Sequence, residues 1–474
     1  MNHSRVLATS LLALLAMPIL QPGHSPAQIG SERQLFVDRL LIDRMDGVRL
    51  KMHSPVRREA ALRMEHPWEE KGVSYMVAFK DGDRFRAWYR ADAATHRTAY
   101  AESKDGITWV KPMIGPIPFG DRKKTNLVWE AENRAGNLSV LKDPNPDVPP
   151  GERYKGIIRG RNQIRALVSE DGIHWRPFRE KPLIDSFPVD SHNILIWDPQ
   201  QERYAIYLRG IRKVPGVAID NTSWKDLGVR WVRRSLSRDF RNWSEPRLIE
   251  SGSSPIEQFY TNDTVVYERA PSYFLMFPSR FVVERVPVPD WPAGSGVNDI
   301  VLLSSRDGIN WDRTFREAYL RPGPDPNTWH ERALYMEHGI LQTGPRELSM
   351  YAMHNWRTDD THIRRLSLRV DGFASVHGDY DGGILITRPL VFAGSELEIN
   401  FATSAVGSLR FELRDGSNNP LPGFGLQDCD EIYGDEIDRV VKWKGSPDVS
   451  SLAGRPVRLH IRLQDADLYS FRFR

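Results

Sequence analysis

Four tryptophans, Trp109, Trp175, Trp243 and Trp311, each close the same short phrase, at intervals of 66, 68 and 68 residues. The phrases begin at Ser103, Ser169, Ser237 and Ser305, and three of the four read Ser-x-Asp-Gly-Ile-x-Trp. A degraded fifth copy, Val370-Asp371-Gly372-Phe373, ends 62 residues after Trp311. A fixed period is the signature of a repeat architecture, in which each unit buries its apolar face against its neighbours. Five units over residues 36 to 378 are expected.

Inside each unit, paired runs of aromatic and β-branched residues are separated by turn residues, the pattern of strands and hairpins. Tyr75 to Phe79 and Phe85 to Tyr89 flank Lys80-Asp81-Gly82-Asp83; Asn193 to Trp197 and Tyr204 to Leu208 flank Asp198-Pro199; Thr264 to Tyr267 precedes Tyr273 to Phe277. Four strands per unit with radial repetition predict an all-β chain, a five-bladed β-propeller. The stride is longer than the ~40 to 50 residues of common propeller repeats, which leaves long loops for binding residues. The repeated phrase reads as structural: Asp-Gly makes the turn, Ser and Asp bond nearby amides, and the Trp wedges into the core, far from the axis.

From Gly378 the pattern changes. Ile386 to Phe392, Glu396 to Phe401, Leu409 to Leu413 and Val457 to Leu463 alternate with period two between turns such as Asp415-Gly416, which predicts a β-sandwich over 379–474. At the other end, a short basic stretch and the apolar run Val6 to Leu20 precede Ser25-Pro-Ala27. Such a run is too short to span a bilayer and reads as a signal peptide, 1–27, cleaved after Ala27. The propeller is then assigned to 28–378, and the mature protein is expected to be secreted or periplasmic, with no membrane contact after cleavage. Lys and Arg number 65 against 62 Asp and Glu, with no basic stripe, so no nucleic-acid partner is expected. The lone Cys429 rules out an internal disulfide and reads as a small buried hydrophobe.

Propellers gather the openings of their innermost strands around one funnel. Here those openings are acidic and polar: Glu69 and Glu70, then Asn133 and Asn137, then Asp190-Ser191-His192-Asn193, then Glu257 and Tyr260-Thr261-Asn262, then Arg332 and Glu337. Several carboxylates aimed at one funnel imply ligand or proton chemistry, because an unpaired buried carboxylate is costly. Glycoside hydrolysis needs paired carboxylates, one to protonate the leaving oxygen and one to activate water or attack carbon. Glu69, Asp190 and Glu257 are the candidates, with Asp190 or Glu257 as acid and Glu69 as base or nucleophile. Trp68, His192, Asn193, Asn262, Trp329, Arg332 and Glu337 are the candidate sugar-binding residues. No cofactor is expected. Axial Asp and Asn supply oxygen ligands that suit a structural calcium ion, but no dedicated loop is present. His330, Glu331 and His338 form no metal motif and are expected at the solvated surface.

The five-unit count, the Ser-x-Asp-Gly-x-x-Trp phrases and the trailing sandwich resemble the superfamily of glycoside hydrolase families 32, 43, 62 and 68. The resemblance implies a funnel-shaped active site and a carbohydrate substrate. In family 32 an acidic residue before a glycine opens blade one as nucleophile, a place matched by Glu69 and Glu70 before Gly72, and the general acid opens a middle blade, the place of Asp190. The Asn-Asp-Pro-Asn-Gly, Arg-Asp-Pro and Glu-Cys-Pro motifs of that family are absent, so fructose specificity is not implied. Three other readings stand beside the hydrolase. One is a non-catalytic carbohydrate-binding propeller. Another is a sialidase-like enzyme, which would need an arginine cluster drawn from residues such as Arg280, Arg321 and Arg332 but has six blades. The last is a polysaccharide lyase with His192 or Tyr260 as base.

Overall fold

The computed structural model of the chain describes residues 25–71, 75–92, 94–130, 136–185, 187–213, 228–291 and 294–474. Nearly all of the expected leader, and Gly72 and Asn133 from the expected funnel, lie outside the described residues.

Five antiparallel sheets stand around one axis. Their innermost strands are Val77–Asp81, Gly136–Lys142, Ile194–Asp198, Thr264–Val266 and Leu334–Met336. The first four pair with the next strand in sequence, as in Val77 to Trp88 and Ile194 to Tyr207, and Leu334–Met336 pairs with Glu347–His354. Blade four is bent: its second and third strands continue as a hairpin, Ser279–Val282 against Val297–Ile300, that packs against the inner strand of blade five. Helix is confined, among the described residues, to three short turns, and no helix is long and apolar enough to cross a membrane.

The ring is closed by a strand from outside the repeats. Val56–Arg63 precedes blade one in sequence yet forms the outer strand of blade five, pairing with His362–Arg369 from His362 opposite Arg63 to Ser367 opposite Val56. This explains why the fifth phrase is degraded. Blade five has its outer strand already, so no hairpin is needed after Arg369.

The repeated phrase does two jobs. Within a blade, Asp105 Oδ1 accepts the amides of Ile107 and Thr108, both at 2.8 Å, while Ser103 Oγ accepts that of Gly106 at 2.8 Å. Gly106, Gly172 and Gly308 sit at φ between +70° and +76°, where a side chain is strained. Between blades, the glycine carbonyl is an anchor. Tyr351 of blade five donates to Gly106, Trp88 of blade one to Gly172 at 2.7 Å, and Tyr207 of blade three to Gly308 at 2.8 Å. The third phrase carries Phe240 at the glycine position with φ +61°. Its ring is buried against Phe178, Tyr204 and Trp243, which offsets a backbone cost of about 1 kcal/mol.

The second unit is a β-sandwich built on two long strands, Leu397–Asp415 and Val457–Phe473, that pair with each other through a register break between Thr403 and Ser408. Breaks of this kind let one strand turn from one layer into the other. Phe401, Phe411, Leu459 and Phe471 fill the core. Cys429 lies in it as well, as expected.

The expected boundary at residue 378 does not hold at the N-terminal side. Ala27–Gly30 runs parallel to Leu390–Phe392, Ile42–Asp46 pairs with Gly383–Thr387, and Val48–Met52 pairs with Ala374–Gly378. Residues 27 to 52 therefore belong to the sandwich, and the propeller occupies the stretch between. Asp371, from the degraded phrase, is the joint. It is 1% exposed and accepts from Tyr267 at 2.7 Å and from Ser470 at 2.7 Å, with Arg269 at 3.1 Å.

Candidate active site

Most of the expected funnel residues are spent on holding the ring. Asn193 Nδ2 donates to Val189 O at 3.0 Å, and its Oδ1 accepts the Arg209 amide. Asn262 Nδ2 bridges the carbonyls of His192 and Tyr207. Asn137 Nδ2 reaches Ser191 O at 3.1 Å, and Glu337 Oε2 accepts the Met76 amide. The Asn193 bonds lie within blade three and the others run from blade to blade, which explains their polarity at strand mouths without any ligand.

Two of the three expected catalytic carboxylates are also engaged. Glu69 is fully enclosed and accepts from the amides of Glu65 and His66, from Tyr89 Oη at 2.5 Å and from Lys111 Nζ at 2.7 Å. It lies beside Trp68, itself 3% exposed, with its indole bonded to Asn126 and stacked on His66. Glu257 is bridged by Arg280 at 2.7 Å and Arg313 at 3.1 Å, and Arg280 is shared with Asp299. Trp329 keeps an exposed ring, tied by its indole to Gly323 O.

Asp190 is different. Its side chain is 58% exposed at the mouth, with Arg159 at 3.5 Å. Enclosure by the mouth favours its neutral form, but Arg209 foremost, then Arg159, Arg332 and Arg230, outweigh this and hold the carboxyl below the usual aspartate range. Around it stands a wall of arginine and tyrosine. Arg90 lies over the Tyr75 ring at 4.7 Å, Arg209 and Arg230 over Tyr260 at 4.9 and 5.0 Å, and Arg332 over Tyr260 and Trp356 at 5.6 and 5.1 Å. Tyr335 stacks between Tyr75 and Tyr260, at 5.9 and 5.6 Å.

A second carboxylate belongs to this wall. Glu331 is 1% exposed, bonded to Arg332 and 3.5 Å from Arg357. Burial pushes its carboxyl up, only partly opposed by Arg332 and Arg357. The expectation of a solvated surface for His330 and Glu331 is thus overturned, since His330 is 2% exposed and stacked on Trp291 at 3.7 Å; His338 is half-buried against the axis. The reason is the blade-five entry loop, which folds inward before Leu334–Met336.

Below the mouth, His192 stacks on Tyr75 at 5.1 Å and has Nδ1 3.4 Å from Asp263. Burial pushes the imidazole down to about 3 and the Asp263 carboxyl well up, so the pair is a neutral plug in the axis. Among the described residues, no group of three or more His, Cys, Asp or Glu side chains is arranged to hold a metal ion.

The arginines carry a repeat signal of their own. Asp83-Arg84-Phe85, Glu152-Arg153-Tyr154 and Glu202-Arg203-Tyr204 open the second strand of blades one to three, and five residues after each aromatic comes Arg90, Arg159 or Arg209. Aligning the blades on this phrase would have found the three arginines. Glu331 has no such mark.

No protein-family model matches the chain. Over 149 residues it is 27% identical to an uncharacterized protein of Mycobacterium tuberculosis (strain CDC 1551 / Oshkosh), a match covering 28% of this chain and 46% of that protein. The chain thus spans less than half the length of the curated relative it matches. Among solved structures it is similar to an N-acetylgalactosamine deacetylase from F. plautii in complex with blood group B trisaccharide, at 14% identity and a TM-score of 0.45, over 68% of this chain and 96% of that one. It is similar as well to a family 43 arabinoxylan arabinofuranohydrolase from Bacillus subtilis, at 11% identity and a TM-score of 0.43, over 89% and 99% of the two chains.

Proposed function

We propose that this chain is an exported enzyme that hydrolyses a glycosidic bond in a glycan held at the funnel mouth, with Asp190 and Glu331 as the working carboxyl pair. The observation that carries the reading is that two carboxyls share one arginine-lined mouth, Asp190 exposed beside Arg159 and Glu331 buried beside Arg332 and Arg357, so that the arginines lower the first while burial raises the second. Two carboxyls driven apart in this way supply the acid and the base of one reaction. Glu331 gives its proton to the leaving oxygen as the glycosidic bond breaks. The Asp190 carboxylate activates the water, or attacks the anomeric carbon before water releases the sugar. The rings of Tyr75, Tyr260 and Tyr335 suit sugar faces, and no cofactor is needed for proton transfer of this kind. Glu69 and Glu257 act as scaffold, because their lone pairs are already taken.

The test is sugar release from a polysaccharide panel by residues 28–474, with Asp190→Asn and Glu331→Gln in parallel. Each variant is expected to lose turnover by about 100-fold or more, with its circular dichroism spectrum unchanged. Full turnover in both would overturn the assignment. A non-catalytic carbohydrate-binding propeller is the second reading, and the arginines already contacting both carboxylates favour it. Retention of a glycan without any release would put it first.

A further inference from the structure

We infer that the funnel mouth takes an acidic glycan, one whose bound sugar carries a carboxylate or sulfate group, gripped by the arc of Arg90, Arg159 and Arg209. The inference rests on the mouth being the glycan site, and it names the substrate class of that site.

The three arginines occupy one repeat position in three consecutive blades, and the same position holds Pro278 in blade four and Met353 in blade five. The mouth is therefore two-sided. Blades one to three present guanidinium groups, while blades four and five present Tyr260, Phe281, Tyr335, Met353 and Trp356 as one apolar cluster that Tyr75 joins. Arg332 and Arg357, from the loops of blade five, lie beside this cluster and are both tied to Glu331.

The arc is poorly neutralised. Among the described residues, the polar contacts of the Arg90 guanidinium are with neutral groups: it donates to Asn137 Oδ1 at 3.0 Å and lies over Tyr75, and its Nε has no partner. Arg209 is 4% exposed and donates to Tyr260 O at 2.7 Å. Among the described residues, the ion pair of Arg159 is the 3.5 Å contact with Asp190. Three enclosed cations that share the one carboxylate of Asp190 are costly, and an anion entering the mouth relieves that cost. The planar guanidinium fork matches the paired oxygens of a carboxylate or a sulfate, which a neutral sugar lacks. The aromatic side would hold the ring while the arginine side holds its charged substituent.

The experiment is affinity electrophoresis of the full mature chain in gels containing polygalacturonate, alginate, chondroitin sulfate or carrageenan. Carboxyl-reduced or desulfated counterparts run beside them, with neutral xylan, arabinan and dextran. At least one acidic polymer is expected to retard the protein while its neutralised counterpart does not. Carboxyl reduction and desulfation separate the two anion sources. Arg209→Met and Arg90→Met are each expected to weaken retention roughly tenfold, and Arg209→Lys to keep part of it. Attraction by scattered surface charge would leave all three variants equal to wild type. That result overturns the inference, as does equal retention by acidic and neutralised polymers, or retention by no acidic polymer. If an acidic glycan is retained but never cleaved, hydrolysis falls and this inference stands. Cleavage of a neutral glycan that is lost in Asp190→Asn leaves hydrolysis standing and sinks the acidic substrate.

Discussion

The indole N–H of Trp88, in blade one, donates to the carbonyl of Gly172, in blade two, at 2.7 Å. The bond turns the repeated phrase from a hairpin device into a joint between blades. A Cβ on Gly172 would stand 2.9 Å from the Trp88 ring, on a backbone at φ +76°. Gly172→Ala is expected to lower stability by about 2 kcal/mol, measured by urea unfolding. Gly82→Ala is the control, since its φ is +66° but nothing lies within 4 Å. Equal losses in both would mean that only backbone strain matters and the joint does not.

Lys111 is the counter-ion of a Glu69 carboxylate that has no exposed surface. Lys111→Met leaves that charge enclosed and unpaired, so a loss of about 3 kcal/mol or more is expected. A melting temperature within a degree of wild type would show that Glu69 is not a structural group.

Burial holds several histidines neutral in the fold: His53 is pushed down to about 4, and His192, His338 and His354 to about 3. The unfolded chain protonates them near pH 6.5, so below that pH it binds more protons than the folded protein. Stability is therefore fully present above about pH 7 and falls as pH drops from about 6.5 toward 4, by up to about 1.4 kcal/mol per pH unit for each histidine. Urea midpoints taken from pH 7.5 down to 4.5 check this, and a flat profile contradicts it.

Cys429 is 2% exposed, and burial pushes its thiol up to about 11. It is expected to resist alkylation in native protein at pH 8 and to react fully in denaturant. Rapid native labelling, followed by mass spectrometry, would show that the sandwich core opens locally.

The blade count was legible because a repeated phrase marks every blade, down to the degraded copy around Asp371. The ring closure was not, because Val56–Arg63 pairs with a strand some 300 residues away and nothing local in either announces the other. The same holds for Ala27–Met52, whose partners lie beyond residue 373. At the site, Asp190 was legible as an acidic opening to an inner strand. Glu69 looked equivalent in sequence, but it lies eight positions before Val77, against four between Asp190 and Ile194, and it sits in the Tyr89 and Lys111 cluster. Glu331 reads as one of three polar residues in a loop, and only the inward fold of that loop puts it among arginines.

The first and last described strands, Ala27–Gly30 and Val457–Phe473, lie in one sheet, with the ring of blades strung between them. During synthesis the earliest strands, from Ala27 onward, therefore wait for the last, Val457–Phe473, before the sandwich can close. Blade five likewise holds Val56–Arg63 in reserve until some 300 further residues have been made. A truncation that removes Val457–Phe473 therefore also leaves the edges of Gln34–Leu35 and Leu397–Asp415 unpaired. Cutting at residue 378 would strand Ala27–Gly30 and Ile42–Asp46 without partners, and a free-standing propeller would have to begin near Val56 instead.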